Sequence, residues 1–165
     1  MPRRTAALLL LLFWMNPAAC GEEVQIGVLG LFHPRQITVS IGQGEAMVIK
    51  ADENVFMLEP GSRTSSARIG ISGDGLLLDF DGHVVRTAEI HAAGRDGHFA
   101  AFVLAIPGRI SRQYRGTLTV RAVDGVLVPI VAMDLETAVA SVVQAESAPD
   151  APSEALKAQA VVTRS

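Results

Sequence analysis

The sequence predicts an α+β fold: a β-rich N-terminal part of hairpins or a meander, followed by two packed helices. Three observations predict it. Short apolar runs recur from Val24 to Met133, with turn residues between them. At Asp134 the apolar spacing changes from period two to a helical period. A second stretch of helical composition, rich in Ala, begins near Pro152 or Ser153.

The first element lies outside that fold. Arg3 and Arg4 give a positive start, Ala6 to Met15 form an apolar stretch, and Asn16-Pro17 break it before a run of small residues. This is the pattern of a secretory signal peptide over residues 1–21, with cleavage after Gly21. The apolar run falls short of the about 20 residues that span a membrane, so no stable transmembrane span is expected. A second reading makes Cys20 a lipidated first residue, although such sites usually carry Leu where Pro17 stands. Either way the expectation is an exported chain, in the periplasm, the cell envelope or the medium.

Composition narrows the partners. Without Arg3 and Arg4 the chain carries 12 basic residues against 17 acidic ones, a net charge of −5. There is no basic stripe and no aromatic platform, which argues against nucleic acid. Cys20 is the single cysteine, so no internal disulfide is expected. About 144 residues follow the signal, enough for one domain with its own core.

Residues 22–106 read as strands: VQIGVL, ITVSI, AMVIK, VFML, ARIGI, LLLDF, VVRTAEIH and FAAFVLAI. Gly42-Gln43-Gly44, Pro60-Gly61, Asp74-Gly75, Asp81-Gly82 and Asp96-Gly97 punctuate them. Asp-Gly suits the positive-φ positions of tight hairpins, because Gly has no Cβ. The clearest hairpin surrounds Asp124-Gly125, where Leu118, Val120 and Ala122 alternate with Thr117, Thr119 and Arg121. Pro129 in its return strand predicts an edge or a bulge.

From Asp134 the chain reads as helix. Leu135, Ala138, Val139, Val142 and Val143 share one face, Asp134 is the natural N-cap, and Glu136 suits the positive end of the helix dipole. Pro149 limits this helix. The second runs through EALKAQAVVTRS to the end of the sequence, with no cap or following element. The two are expected to pack on each other or on the Asp124-Gly125 hairpin, burying Leu135, Val139, Val142 and Leu156. Ending in mid-helix is the mark expected of a truncated reading frame or a fragment.

Glu146 is the candidate catalytic residue. It follows Leu135 by eleven residues, which at 100° per residue leaves it only about 20° away around the axis. In a regular helix it extends the apolar stripe. A carboxyl there is partly desolvated and its pKa rises, as a general acid requires. In a fraying last turn it is an ordinary solvated residue. The other polar residues read more plainly. His33, His83, His91 and His98 show no metal-ligand spacing, so no metal site is expected. Gly42-Gln43-Gly44 lacks the setting of a nucleotide loop, and Ser62 to Ser66 read as loop.

Three stretches carry a family resemblance. Tyr114-Arg115-Gly116 before TLTVR resembles a YRG-strand motif. PIVAMDLETAVASVVQAE resembles a strand, then LE, then a helix ending in VV-x-x-E. EALKAQAVVTRS resembles the block EALKAQAVAARS/T. All three are similar to motifs of the SpoIID/LytB family, of stage II sporulation protein D and an amidase enhancer. The resemblance covers about a third of the chain and makes residues 107–165 the N-terminal portion of such a domain.

The resemblance implies a bacterial cell-wall protein. Its sporulation branch is a lytic transglycosylase acting on peptidoglycan glycan strands stripped of peptides, and the acid of VV-x-x-E falls on Glu146. Arg164, in the closing RS, is the candidate substrate contact, beside its plainer reading as a structural helix-end residue. Two positions depart: Ala138 stands where the family has an aromatic residue, and Ser141 where it often has Gly. The family domain continues past RS, so any zinc ligands would fall beyond Ser165 and no cofactor is expected in this chain. The alternatives are a module that binds wall glycan or stimulates a cell-wall amidase without catalysis, and a non-functional fragment.

Overall fold

The computed structural model describes residues 22–42, 45–148 and 150–164. The signal-peptide and Cys20 readings, the Gln43-Gly44 half of the first turn signal, Pro149 and Ser165 lie outside the described residues. The fold is α+β, with strands first and two helices last. The strands are β1 (Glu23–Gly27), β2 (Gln36–Ile41), β3 (Met47–Ala51), β4 (Asn54–Leu58), β5 (Ser66–Ser72), β6 (Gly75–Phe80), β7 (His83–Thr87), β8 (Glu89–Gly94), β9 (Ala100–Ile106), β10 (Ile110–Val123) and β11 (Val126–Asp134). The helices are α1 (Leu135–Glu146) and α2 (Ser153–Arg164).

The strands form two antiparallel layers that share β10. One runs β4-β3-β8-β10-β11-β1, the other β10-β9-β2-β5-β6-β7. β10 reaches both because its residues Ile110 to Gly116 pair with β9, while Thr117 to Val123 pair with β11. β6 packs on β8 and β10, β5 on β11, and β3 on β7. Strand alternation supplies the core. Ile37 and Val39, Met47 and Ile49, Leu76 and Leu78, Phe102 and Leu104, and Leu118 and Val120 all point inward and are almost wholly buried. Each such side chain contributes about 1.5–3 kcal/mol.

Turn chemistry sets the register. Asp81-Gly82 and Asp124-Gly125 both hold two successive positive φ angles, 49° and 83° in one, 49° and 73° in the other. That is the twist a two-residue hairpin needs. The Asp74-Gly75 signal is displaced by one residue. Ser72 pairs with Gly75, so the turn is Gly73-Asp74, with Gly73 at φ 61°.

VVRTAEIH is two strands, not one. β7 pairs with β6, whereas β8 pairs with β3 and β10, so the chain changes layer at Ala88. Thr87 fastens this corner and is buried. Its hydroxyl lies 2.9 Å from Asp52 Oδ1 and 2.7 Å from the Glu89 carbonyl, and it accepts from the Glu89 N–H at 3.3 Å.

Pro129 sits where β1 leaves β11. The β1 register ends at the Gly27–Ile130 pair, and the Val28 N–H donates to the Pro129 carbonyl at 2.9 Å. The proline nitrogen faces the same side as that carbonyl, so β10 loses no ladder bond to it.

The helices pack on each other, and α1 also packs on β11 and β1. Ala138 and Val139 are buried, but Leu135, Val142 and Leu156 are only half-buried, less than the helical pattern predicts. The reason is coverage. Among the described residues α2 leans on α1 and buries none of its own side chains.

Candidate functional site

The site predicted from sequence lies at the far end of α1, and β11 runs into that helix without a loop. Asp134 ends the strand with φ −60° and ψ 136°, paired with Glu23 of β1. Its Oδ1 accepts from the Thr137 N–H at 3.1 Å, and the Leu135 N–H donates to the Glu22 carbonyl at 2.8 Å. Two of the four orphan N–H groups of the helix start are thereby satisfied, one by the cap and one by the sheet. The start of α1 is therefore anchored to the β layers.

Its other end keeps α register. The Ser147 N–H donates to the Val143 carbonyl at 3.0 Å, an i→i−4 bond. Glu146 is the last residue inside that turn. Regularity through Glu146 is the condition on which its alignment with Leu135 depends. Its side chain, and with it the expected desolvation, lies outside the described residues.

α2 returns alongside α1. Its first turn closes when the Ala155 and Leu156 N–H groups donate to the Pro152 carbonyl at 3.0 and 3.1 Å. Lys157 pairs with Glu154 at 2.8 Å on the solvent side. At its far end Arg164 Nη1 meets Glu136 Oε1 of α1 at 2.6 Å. The helices are thus antiparallel, and Arg164 stands over the start of α1. Ten residues separate Glu136 from Glu146, about 15 Å of helix. Arg164 and Glu146 are not brought together. The Arg164–Glu136 pair is well exposed, which limits it to about 1 kcal/mol.

Tyr114-Arg115-Gly116 occupies the middle of β10 and acts on the fold. The Tyr114 ring lies 6.0 Å from that of Phe102, and burial pushes its phenol up. Arg115 Nη1 meets Glu45 Oε1 at 3.2 Å, and Glu45 Oε2 accepts from the Ala101 N–H at 3.1 Å. That backbone bond first, and Arg115 second, hold the Glu45 carboxyl below its ordinary value. Gly116 lies at the change of layer, where a Cβ would overlap the Ala132 carbonyl oxygen and press on Val131.

A further polar cluster went unseen in the sequence because three strands supply it. On the outer face of the first layer, Lys50 of β3, His91 of β8 and Thr119 of β10 stand in one register row. His91 Nδ1 lies 3.1 Å from Thr119 Oγ1, and its Nε2 lies 3.3 Å from Glu89 Oε2. Glu89 in turn binds Arg121, and that hydrogen bond is the main reason its carboxyl sits below the ordinary range. Only the outward phase of Thr117, Thr119 and Arg121 was legible beforehand.

Comparison with known proteins matches one segment. Residues 124–165 match the family SpoIID, stage II sporulation protein, a family related to sporulation and the cell wall. The match takes in the hairpin turn, β11, α1 and α2, and starts after Tyr114-Arg115-Gly116. No curated protein and no solved structure matches the chain.

Proposed function

We propose, from the match of residues 124–165 to stage II sporulation protein, that this is an exported cell-wall protein cleaving peptide-stripped peptidoglycan strands as a lytic transglycosylase. One observation carries the reading: within the matched segment, a helix capped by Asp134 ends on a carboxylate, Glu146. The same reading makes residues 107–165 part of a SpoIID-type unit.

The chemistry needs one carboxyl group. Glu146 gives its proton to the glycosidic oxygen as that bond breaks, and positive charge develops at the anomeric carbon. The 6-hydroxyl of the same sugar closes on that carbon, and the Glu146 carboxylate takes the hydroxyl proton. An internal nucleophile has a high effective molarity, so no second carboxylate has to activate water. Arg164 serves as a contact for a sugar farther along the strand, since about 15 Å of helix separates its partner Glu136 from Glu146.

Export fits this substrate, and no helix among the described residues is long and apolar enough to cross a membrane. The test is product analysis. The full gene product, incubated with peptide-free glycan strands, releases fragments with 1,6-anhydro ends. Fragments with free reducing ends would instead show hydrolysis and remove the transglycosylase reading.

A non-catalytic reading draws on α2. Val161 and Val162 are 66% and 73% exposed, a surface suited to a protein partner such as a cell-wall amidase. A product that cuts nothing yet raises the activity of an added amidase would favour it.

A further inference from the structure

The first β layer ends on an unguarded edge. Among the described residues β4 pairs only with β3, in a hairpin whose turn is Asp52-Glu53 and whose closing pair is Ala51 and Asn54. In a two-residue hairpin the closing pair exchanges hydrogen bonds, and every second pair along the strands does the same. Asn54, Phe56 and Leu58 therefore bond to β3, while Val55 and Met57 aim their N–H and C=O groups at the free edge. Glu59, the next residue of that phase, already gives its N–H to the Thr64 carbonyl at 3.3 Å. Among the described residues no backbone group takes up those of Val55 or Met57.

Sheet edges are normally guarded by charge, by proline or by a covering element. β7 carries His83 and Arg86, and β1 opens on Glu23 and has α1 packed against it. β4 reads Asn-Val-Phe-Met-Leu and has none of these guards. Its outward side chains Val55 and Met57 are 62% and 37% exposed, and the half-buried Phe56 ring rests 5.1 Å from that of Phe80.

The strand is its own complement. Laid antiparallel on a second copy about Phe56, Val55 meets Met57 of the second copy, Met57 meets its Val55, and the two Phe56 residues face each other. Both Val–Met pairs are then hydrogen-bonded pairs, so all the open edge groups are satisfied together. Charge agrees with this register. Glu53 falls opposite Glu59 of the second copy, and cations stand on both sides of the pair. Lys50, in register with Val55 on the outer face, is exposed and has no ion pair among the described residues. Arg95 stands 3.8 Å from Glu59 in its own chain. Each carboxylate is thus matched by a cation across or beside the new seam. Because one chain has one such edge, two-fold pairing consumes both and stops at two copies. We propose that this protein forms a two-fold dimer through β4, joining the first layers of two copies into one continuous sheet. The seam involves neither α1 nor α2 and does not depend on the function proposed above.

Sedimentation equilibrium of the full gene product reads its mass across a concentration series, and amide hydrogen exchange is followed at both ends of the series. The mass rises to twice that of one chain, and the Val55 and Met57 amides exchange more slowly in the concentrated sample. Val55→Lys places an ammonium on the seam at an exposed position. It weakens association by about a hundredfold, since the two-fold axis applies a loss of about tenfold twice. Lys50→Glu weakens association as well. Val84→Lys, at a residue 58% exposed on the edge strand β7, leaves the dimer intact. A parent that stays monomeric throughout, a folded Val55→Lys protein that associates like the parent, or a dimer broken by Val84→Lys instead would overturn the proposal. Equal exchange of the Val55 and Met57 amides in dilute and concentrated parent would do so without any variant. A monomer whose Val55 and Met57 amides are protected only by an added extended peptide would give the edge to another partner and overturn the dimer.

Discussion

Gly116→Ala adds one methyl group at the point where β10 changes layers. The backbone there is not in the left-handed region, so the whole effect is steric. The new Cβ would overlap the carbonyl oxygen of Ala132 and stand 3.0 Å from Val131 Cγ1. That carbonyl belongs to a residue in register with both Thr117 of β10 and Gln25 of β1. It cannot retreat without disturbing three strands. Overpacking of a core costs about 1–3 kcal/mol, and a backbone obstacle puts this case at the upper end, about 3 kcal/mol. At about 2–4 °C per kcal/mol for a domain near this size, the melting temperature falls by about 10 °C. Gly27→Ala is the control. A Cβ on Gly27 meets nothing within 4 Å, and Ala in a strand is better than Gly by about 0.5–1 kcal/mol. Thermal and urea unfolding of both variants read the contrast. If Gly116→Ala melts within about 1 °C of the parent, the layer crossing at Gly116 is wrong.

Val142→Asp puts a carboxylate on the half-buried face of α1 and costs about 1–3 kcal/mol in urea unfolding, less than at a fully buried position. Glu45 and Glu89 sit below the ordinary 4.5 when folded, so the stability they supply is full above that value and is lost as pH falls through their lowered values. Glu45→Gln therefore flattens the acid limb of a melting-temperature profile while changing little near neutrality; an unaltered acid limb would remove the Glu45–Arg115–Ala101 link. Mass spectrometry of the mature protein finds its first residue at or near position 20 or 22. A lipid on Cys20 would select the lipoprotein route, and an intact Met1 in the cytoplasm would contradict export.

Local chemistry was legible and long-range pairing was not. Asp134 could be recognised as a cap because its partner, the Thr137 N–H, is three residues away. Asp81-Gly82 and Asp124-Gly125 announced their turns for the same reason, since φ is a property of the residue itself. By contrast, nothing in VVRTAEIH marks Ala88 as a corner, because its two halves are separated by their partners β6 and β3. The need for Gly at position 116 is set by Ala132, and the outer polar row by Lys50, His91 and Thr119 from three strands. Helical periodicity identified the inward face of α1 and α2 but overstated its depth, because a face can be apolar and still be covered by only one neighbour. At the candidate site, the placing of Glu146 in the last turn of α1 followed from spacing, whereas the pairing of Arg164 with Glu136 needed the antiparallel return of α2.

The catalytic reading stands or falls on one substitution. Glu146→Gln keeps the size and hydrogen bonding of the side chain and removes its transferable proton. In the full gene product, with folding verified by its melting curve, the account predicts no release of 1,6-anhydro fragments from peptide-free glycan strands, where the parent releases them. A Glu146→Gln protein that releases those fragments at the parental rate would contradict it.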